Sequence, residues 1–337
     1  MLTIKSCIHV FVIGVIVITA ASLLNRTKLE PVQPGDAVVV TGSSSGIGKH
    51  AALSLAKEGY TVFACVRKTT DGDALLESAK KYEIDAEKIK ILILDVTNSQ
   101  HIAKGVEVVS KYVGDRGLKG LFNNAGINVK TGPGVKSTSV EFSPMEGYRQ
   151  VFDVNYFGLV EMTKAFLELL RKGQGRIVMN TSVAGFIAGP FLSAYSSSKH
   201  AVEGFSDSLR RELLPHGVKV SILECGFIAT PIIDGGIPDG VHPYDETERN
   251  YWKRFWKDSA TALSPKVSSE AVIHAMRATK PKVRYVVGKQ AALLGLFRFI
   301  PGGWVDRLVT EVNKKVGEIG DEELKELVKN VHMEFEL

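Results

Sequence analysis

The chain has 337 residues, 45% of them hydrophobic and 23% charged, with a formal net charge of +5. This is the composition of a globular protein with a full core, enough for one large domain or two small ones. The charge is too mild and too scattered for a nucleic-acid partner, but it suits an anionic cofactor or a lipid surface.

Residues 8–24, "IHVFVIGVIVITAASLL", form an almost wholly apolar run between Lys5 and Arg26. A helix of that length just spans a hydrocarbon core, so 1–29 reads as a single-pass membrane anchor with its flanks. A cleaved signal peptide is the competing reading, with Ala20 and Ala21 near a cleavage point. The Pro/Gly stretch 30–36 reads as a linker. Beyond it, short β-rich runs alternate with longer helical ones. Strands are expected over 37–40, 61–66, 89–94, 120–122, 176–180, 218–223 and 284–287. Several are apolar throughout, as strands buried on both faces are. Helices are expected over 47–57, 73–81, 99–113, 144–171 (bent or broken) and 194–213. The alternation predicts an α/β fold, a doubly wound parallel sheet in a single catalytic domain over 37–305. Residues 231–262 fit neither period and read as a lid, and 306–337 as a helical extension. The three cysteines, Cys7, Cys65 and Cys225, are widely spaced and match no disulfide framework or metal site, which places the catalytic domain in a reducing compartment.

"VVVTGSSSGIGKHAALSLA" sets Gly42, Gly46 and Gly48 between a strand and a helix. Without side chains, the backbone there turns sharply and comes close to a pyrophosphate at the helix N-terminus. The context is the strand-then-helix one that a dinucleotide site requires.

From about residue 36 to 230 the chain resembles the short-chain dehydrogenase/reductase family, and its tail "KPKVRYVVGKQAALL" (280–294) resembles that of the retinol, hydroxysteroid and 3-hydroxybutyrate dehydrogenase-like group. "TGSSSGIG" (41–48), "LDV" (94–96), "NNAG" (123–126), Asn155 in "FDVNYFG", Ser182 in "NTSVAG", and Tyr195 with Lys199 carry the resemblance. It implies a Rossmann-type domain with a seven-stranded sheet. It also implies cofactor contacts from Gly42, Ser44, Ser45, Gly46, Ile47, Gly48, Asp95, Val96, Asn123, Ala125, Gly126, Tyr195, Lys199 and Thr230. After the second strand the chain reads "VRKTTD": Val66 takes the discriminating place, and Arg67 and Lys68 follow where an acid would select NAD(H). NADP(H) is therefore the expected cofactor, with NAD(H) the alternative should Asp71 fold back.

Tyr195 and Lys199 lie one helical turn apart, so the ammonium should favour the phenolate and lower the tyrosine pKa. The resemblance makes Tyr195 the proton donor and acceptor. It makes Ser182 the residue that binds the substrate oxygen, Lys199 a ligand of the nicotinamide ribose, and Asn155 the holder of a relay water. Cys225-Gly226 stands where the family often has Pro-Gly.

A lid rich in Tyr244, Tyr251, Trp252, Phe255 and Trp256 suggests an apolar pocket. The expected substrate is a lipophilic alcohol or carbonyl of retinoid or steroid type. Lys253, Arg254 and Lys257 keep a 3-hydroxyacid open as the alternative, and a non-catalytic dinucleotide-sensing scaffold is the alternative of another class. An anchor in an intracellular membrane such as the endoplasmic reticulum suits a lipid-dissolved substrate, and the resemblance allows a homodimer through two long helices.

Overall fold

The computed structural model describes residues 27–129, 134–233 and 237–288, together with 291, 294–295, 300 and 302–307. The predicted membrane span lies outside the described residues, and no described helix is long and apolar enough to cross a membrane. Most of the expected C-terminal extension, 308–337, also lies outside them.

Seven parallel strands form one sheet: β1 (Ala37–Val40), β2 (Thr61–Val66), β3 (Ile89–Ile93), β4 (Gly120–Asn123), β5 (Arg176–Asn180), β6 (Lys219–Cys225) and β7 (Arg284–Val287). Their spatial order is β3-β2-β1-β4-β5-β6-β7. β1 pairs with β2 on one side and β4 on the other, so the winding reverses between β1 and β4. A doubly wound sheet opens a crevice at such a point, beyond the carboxyl ends of its strands.

The strand residues divide between two cores with period two. Val39, Phe63, Cys65, Ile177 and Met179 face one layer. Val38, Val40, Val62, Ala64 and Val178 face the other. Both faces are covered, which is why these strands are apolar along their whole length. Helices α1 (Gly46–Lys57) and α2 (Thr69–Lys81) cover the second face. Helix α3 (Ser99–Val113) covers the first. Fully burying a side chain such as Phe166 or Leu121 contributes about 1.5–3 kcal/mol, so the two layers hold the crevice rigidly from below.

The long helix expected over 144–171 is three pieces. Helix α4 (Met145–Phe152) passes into a π-helical turn, Asp153–Gly158, and then into α5 (Leu159–Lys172). Helix α6 (Ser193–Leu213) follows β5 and packs on the same face as α5. Two helices were not expected from the sequence: α7 (Asp245–Ser259) within the lid and α8 (Pro265–Arg277) on the opposite face of the sheet from α5. Helix α7 is strongly charged, which masks its period. Yet Tyr251, Trp252, Phe255 and Trp256 recur at helical spacing, and both tryptophans are fully buried.

Candidate active site

A cleft of about 1190 Å³ opens at the carboxyl edge of the sheet, at the reversal between β1 and β4. Its first wall is the turn from β1 into α1. Gly42 (φ +65°) and Gly46 (φ +54°) take left-handed backbone that a side chain would strain. Gly48 is there for proximity: a Cβ would stand 2.1 Å from the Gly42 carbonyl oxygen and 2.4 Å from Asn124 Nδ2. Ser45 caps α1 with no side-chain hydrogen bond, and the first turn holds no acid. The leading amides of a twelve-residue helix thus face the crevice without a competing anion. Ser44, Ser45 and Ile47 line the same wall, with the two serines exposed. A narrow turn, bare amides and no acid fit the pyrophosphate of a dinucleotide.

Thr41 sets this turn against the next strand end, since its hydroxyl accepts from the amides of Asn124 and Ala125, both at 2.9 Å. Ala125 and Gly126 line the cleft. Asn123 does not: its side chain turns into the core and donates to Thr163 Oγ1 at 2.8 Å, while Asn124 takes the lining position. Strand alternation explains this correction, because neighbouring side chains leave opposite faces. Asn124 Nδ2 donates to the carbonyls of Thr41 and Gly42.

Val66 ends β2 buried, and the exposed Arg67 lines the cleft beside Asp95. Lys68 and Asp71 belong to the start of α2 and are not on the cleft wall. Burial works against ionisation of Asp95. The amide and hydroxyl of Thr97, at 2.9 and 2.7 Å, and the charge of Arg67 outweigh it and hold the carboxyl below its usual range. Val96 and Thr230 complete this half, with Thr230 against Gly46.

The other half gathers Ser182, Tyr195 and Lys199. Ser182 follows β5 and caps a short 3-10 turn, with the Ala184 amide donating to its hydroxyl at 3.2 Å. Tyr195 and Lys199 share a face of α6, with the ammonium 5.6 Å from the phenol ring centroid. The pKa relation expected from their spacing is not what the site shows. Burial pushes the Tyr195 phenol up to about 12, and it is a hydrogen bond to Ser182 that works the other way. Burial pushes Lys199 down to about 8, and its Nζ donates to the Asn180 carbonyl at 2.9 Å instead of reaching the phenol. Enclosure by protein is the largest influence on both groups.

Asn155 is completely buried in the π-turn. Its Oδ1 accepts from the Ile127 amide at 2.8 Å, and its Nδ2 donates to the Ile127 carbonyl at 2.9 Å and to Ser198 at 3.1 Å. Both ends of the amide therefore hold protein. Asn155 fastens the segment after β4 to α6, and its Oδ1 lies beside the space between Gly126 and Lys199. Cys225, beside Lys199, has its thiol pushed up to about 11 by burial, which leaves it an unreactive apolar side chain.

The outer wall is apolar. Tyr251 and Phe255 of α7, with Phe227 and Ile187, face the reaction centre across the cleft. Phe227 and Phe255 meet edge to face at 5.2 Å. One charged pair interrupts this wall: Arg254 lies 3.4 Å from Asp258, both lining the cleft. Lys253 and Lys257 do not line it. Helix α7 is pinned from behind by Glu248, a buried carboxylate. It accepts from Ser137 Oγ at 2.7 Å and from the Thr138 amide at 2.6 Å, with His242 Nε2 at 3.1 Å. Of the three lid cations named from the sequence only Arg254 lines the cleft; Asp258 was not singled out, and Glu248 escaped the sequence reading because no local pattern links residue 138 to residue 248.

Comparison with known proteins agrees with this arrangement. The family model for the short chain dehydrogenases matches residues 36–236. The chain is 38% identical over 291 residues to an NADPH-dependent 3-dehydrocapnine reductase of Ornithobacterium rhinotracheale, covering 82% of this chain and 97% of that one. It is 36% identical to the mitochondrial D-beta-hydroxybutyrate dehydrogenase of Bos taurus, over 77% of this chain and 79% of that one. It is 33% identical to retinol dehydrogenase 16 of Mus musculus, over 81% and 87% respectively. With its fold, its glycine turn and its Ser-Tyr-Lys cluster, the chain belongs to the short-chain dehydrogenase family of NAD(P)-dependent oxidoreductases.

Proposed function

We propose that this enzyme interconverts a lipophilic secondary or allylic alcohol of retinoid or steroid type and its carbonyl, with NADP(H) preferred, from a position tethered to a membrane by residues 8–24. The observation that carries this reading is the aromatic wall of Tyr251, Phe227 and Phe255 facing Ser182 and Tyr195 across one cleft. An apolar wall with a small polar centre suits a large apolar molecule bearing one reactive oxygen. The similarity to a retinol dehydrogenase supports the same substrate class, and the similarity to an NADPH-dependent 3-dehydrocapnine reductase supports NADP(H).

In this reading the bound nicotinamide supplies or accepts the hydride. Ser182 holds the substrate oxygen, and Tyr195 exchanges the proton with it. A phenol held near 12 is protonated at neutral pH, which prepares the resting site to donate to a carbonyl. Taking a proton from an alcohol requires that pKa to fall, and Lys199 is the cation on the same helix face. Gly42, Gly46 and Gly48 admit the pyrophosphate, Ser44, Ser45 and Ile47 stand at the α1 terminus, and Asp95, Val96, Ala125, Gly126 and Thr230 border the rest. Arg67, with no carboxylate at the end of β2, favours a 2′-phosphate. Residues 231–262 act as the lid over the apolar half.

A second reading has one structural observation behind it, beside the similarity to a D-beta-hydroxybutyrate dehydrogenase. Arg254 lines the cleft and could hold the carboxylate of a 3-hydroxyacid, used with NAD(H). Its pairing with Asp258 weighs against this, because the cation already has a counter-charge. The deciding experiment follows NADPH and NADH consumption with retinoid, steroid and long-chain ketones beside short 3-oxoacids. NADPH consumption with the lipophilic carbonyls is expected. Turnover of short 3-oxoacids alone, with NADH, replaces the first reading by the second.

A further inference from the structure

The edge of the sheet away from the cleft receives residues 28–30. They are fastened there to the loop between α8 and β7. The Thr279 amide donates to the Lys28 carbonyl at 2.9 Å, and the Glu30 amide to the Arg277 carbonyl at 2.7 Å. Leu29 forms a lone antiparallel bridge with Ala278. The Glu30 carboxylate meets the buried Arg176 at 2.7 Å. The chain is therefore tied to the amino-terminal edge of the sheet from its first described residues.

The remaining tether is short. Four Cα steps separate Leu24 from Lys28, a reach of at most roughly 14 Å. The polar zone outside the hydrocarbon is about 5–8 Å thick on each side. A span ending at Leu24 thus keeps Lys28 within roughly 14 Å of the hydrocarbon, which sets the clamped edge in the headgroup layer or just outside it.

That edge is built for an anionic surface. Exposed Lys28, Lys57, Arg116, Lys172, Lys280 and Lys282 all lie on segments that enter strands or close helices there. Several of its acids are engaged, Glu30 by Arg176, Glu58 by Arg277, Asp115 by Lys172 at 3.2 Å and Glu87 by Lys90 at 2.9 Å, while Glu83 and Asp85 stand exposed before β3 and leave the cations in excess. Among the described residues no carboxylate pairs with Lys57, Lys280 or Lys282. Exposed Leu29, Val283 and Leu214, the last 72% accessible, stand between the cations. Basic side chains mixed with a few apolar ones are what an acidic bilayer surface attracts.

We infer that the amino-terminal edge of the sheet rests on anionic lipid headgroups, so that the cleft opens away from the bilayer. This inference rests on residues 8–24 being a membrane span. It assigns the edge one occupant, a phospholipid surface of net negative charge, and it requires a lipophilic substrate to leave the bilayer before it enters the cleft.

The test uses the full chain with Cys7→Ser, since Cys65 and Cys225 are buried. A fluorophore is placed at Lys280→Cys or, on the cleft side, at Val241→Cys, and the protein is reconstituted into mixed phosphatidylcholine and phosphatidylserine vesicles carrying a headgroup quencher. Quenching severalfold stronger at 280 than at 241 is expected. The excess should fall when phosphatidylserine is omitted, when salt is raised, or when Lys57→Glu and Lys282→Glu are combined. Stronger quenching at 241 overturns the orientation and places the cleft rim on the membrane. Quenching at 280 that ignores lipid charge, salt and both substitutions overturns the role of the lysines. Alkaline carbonate extraction separates the two layers of the argument: release of the full chain removes the span itself, whereas retention with the wrong quenching pattern removes only the orientation.

Discussion

Tyr195 and Lys199 sit in the same enclosure, and it acts on them in opposite directions. One is an acid kept neutral, the other a base whose charge is penalised. Tyr195→Phe keeps the ring and its packing but removes the proton, so turnover should fall by about 10²–10⁴, the usual worth of a positioned acid or base. NADPH binding, followed by cofactor fluorescence, should be unchanged, and a variant that still turns over at the parent rate would disprove the role. Lys199 makes a separate, thermodynamic prediction. Its pKa is near 8 in the folded protein against 10.5 for the free side chain. Below 8 both states hold the proton and the burial cost is fully present. Between 8 and 10.5 the unfolded state binds more protons, so this group's contribution to stability rises with pH. The melting temperature of the parent, relative to Lys199→Met, should therefore increase across that window. Tyr195 acts in the opposite sense only at higher pH, between 10 and about 12. Arg67 lies at the cleft wall next to Asp95. Arg67→Asp should move the ratio of kcat/KM from NADPH towards NADH by at least tenfold, since a paired cation is exchanged for a repelling carboxylate at the 2′-phosphate; an unchanged ratio would place the discrimination elsewhere.

At the scale of elements, the lid depends on one buried acid. Glu248 holds α7 to the segment around Ser137 and Thr138, and Trp252 Nε1 donates to Thr138 Oγ1 at 3.1 Å behind it. Glu248→Ala strands the Thr138 amide in the interior, at a cost of about 1–3 kcal/mol for each unsatisfied group. None of these bonds touches the glycine turn or α6. KM for the lipophilic substrate should rise severalfold while cofactor affinity holds, and limited proteolysis should begin between 237 and 262. A KM that stays put would show that the lid needs no such fastening. The same helix marks where sequence reading stops. The central strands β1, β2 and β4 were legible because strands covered on both faces are apolar almost end to end, and the others because short β-rich runs alternate with helical ones along the chain. The glycine turn was legible because only glycine serves both close approach and left-handed backbone at such spacing. Helix α7 was hidden, since charges fill the positions between its aromatic residues. The π-turn at Asp153–Gly158 was visible only as a possible break, and its Gly158 answers to a distant contact, since a Cβ there would stand 2.7 Å from the Val96 carbonyl. Asn123 was misplaced by one residue for a comparable reason, the side of the strand being set by its neighbours in space.

Across the whole molecule, the two edges of the sheet carry separate duties. The carboxyl edge holds the cleft, and the amino edge holds the clamp of residues 28–30. Arg176 is buried at the start of β5, and its guanidinium donates to the carbonyl oxygens of Ala275 and Ala278 as well as to Glu30. Glu30 is about half exposed, so water partly replaces what its removal takes away. Glu30→Ala should therefore cost about 1–3 kcal/mol, less than the loss of a partner in a fully buried pair. For a domain of this size each kcal/mol lowers the melting temperature by about 2–4 °C, so a drop of several degrees is expected. Glu30→Gln keeps one acceptor without the charge and should fall between the two. Because β5 runs its full length between Arg176 and the loop that bears Ser182, neither substitution should change kcat/KM at a temperature well below the transition. A parallel loss of activity in folded Glu30→Ala protein would mean that the clamp also sets the geometry of the reaction centre, and that the two edges are not independent.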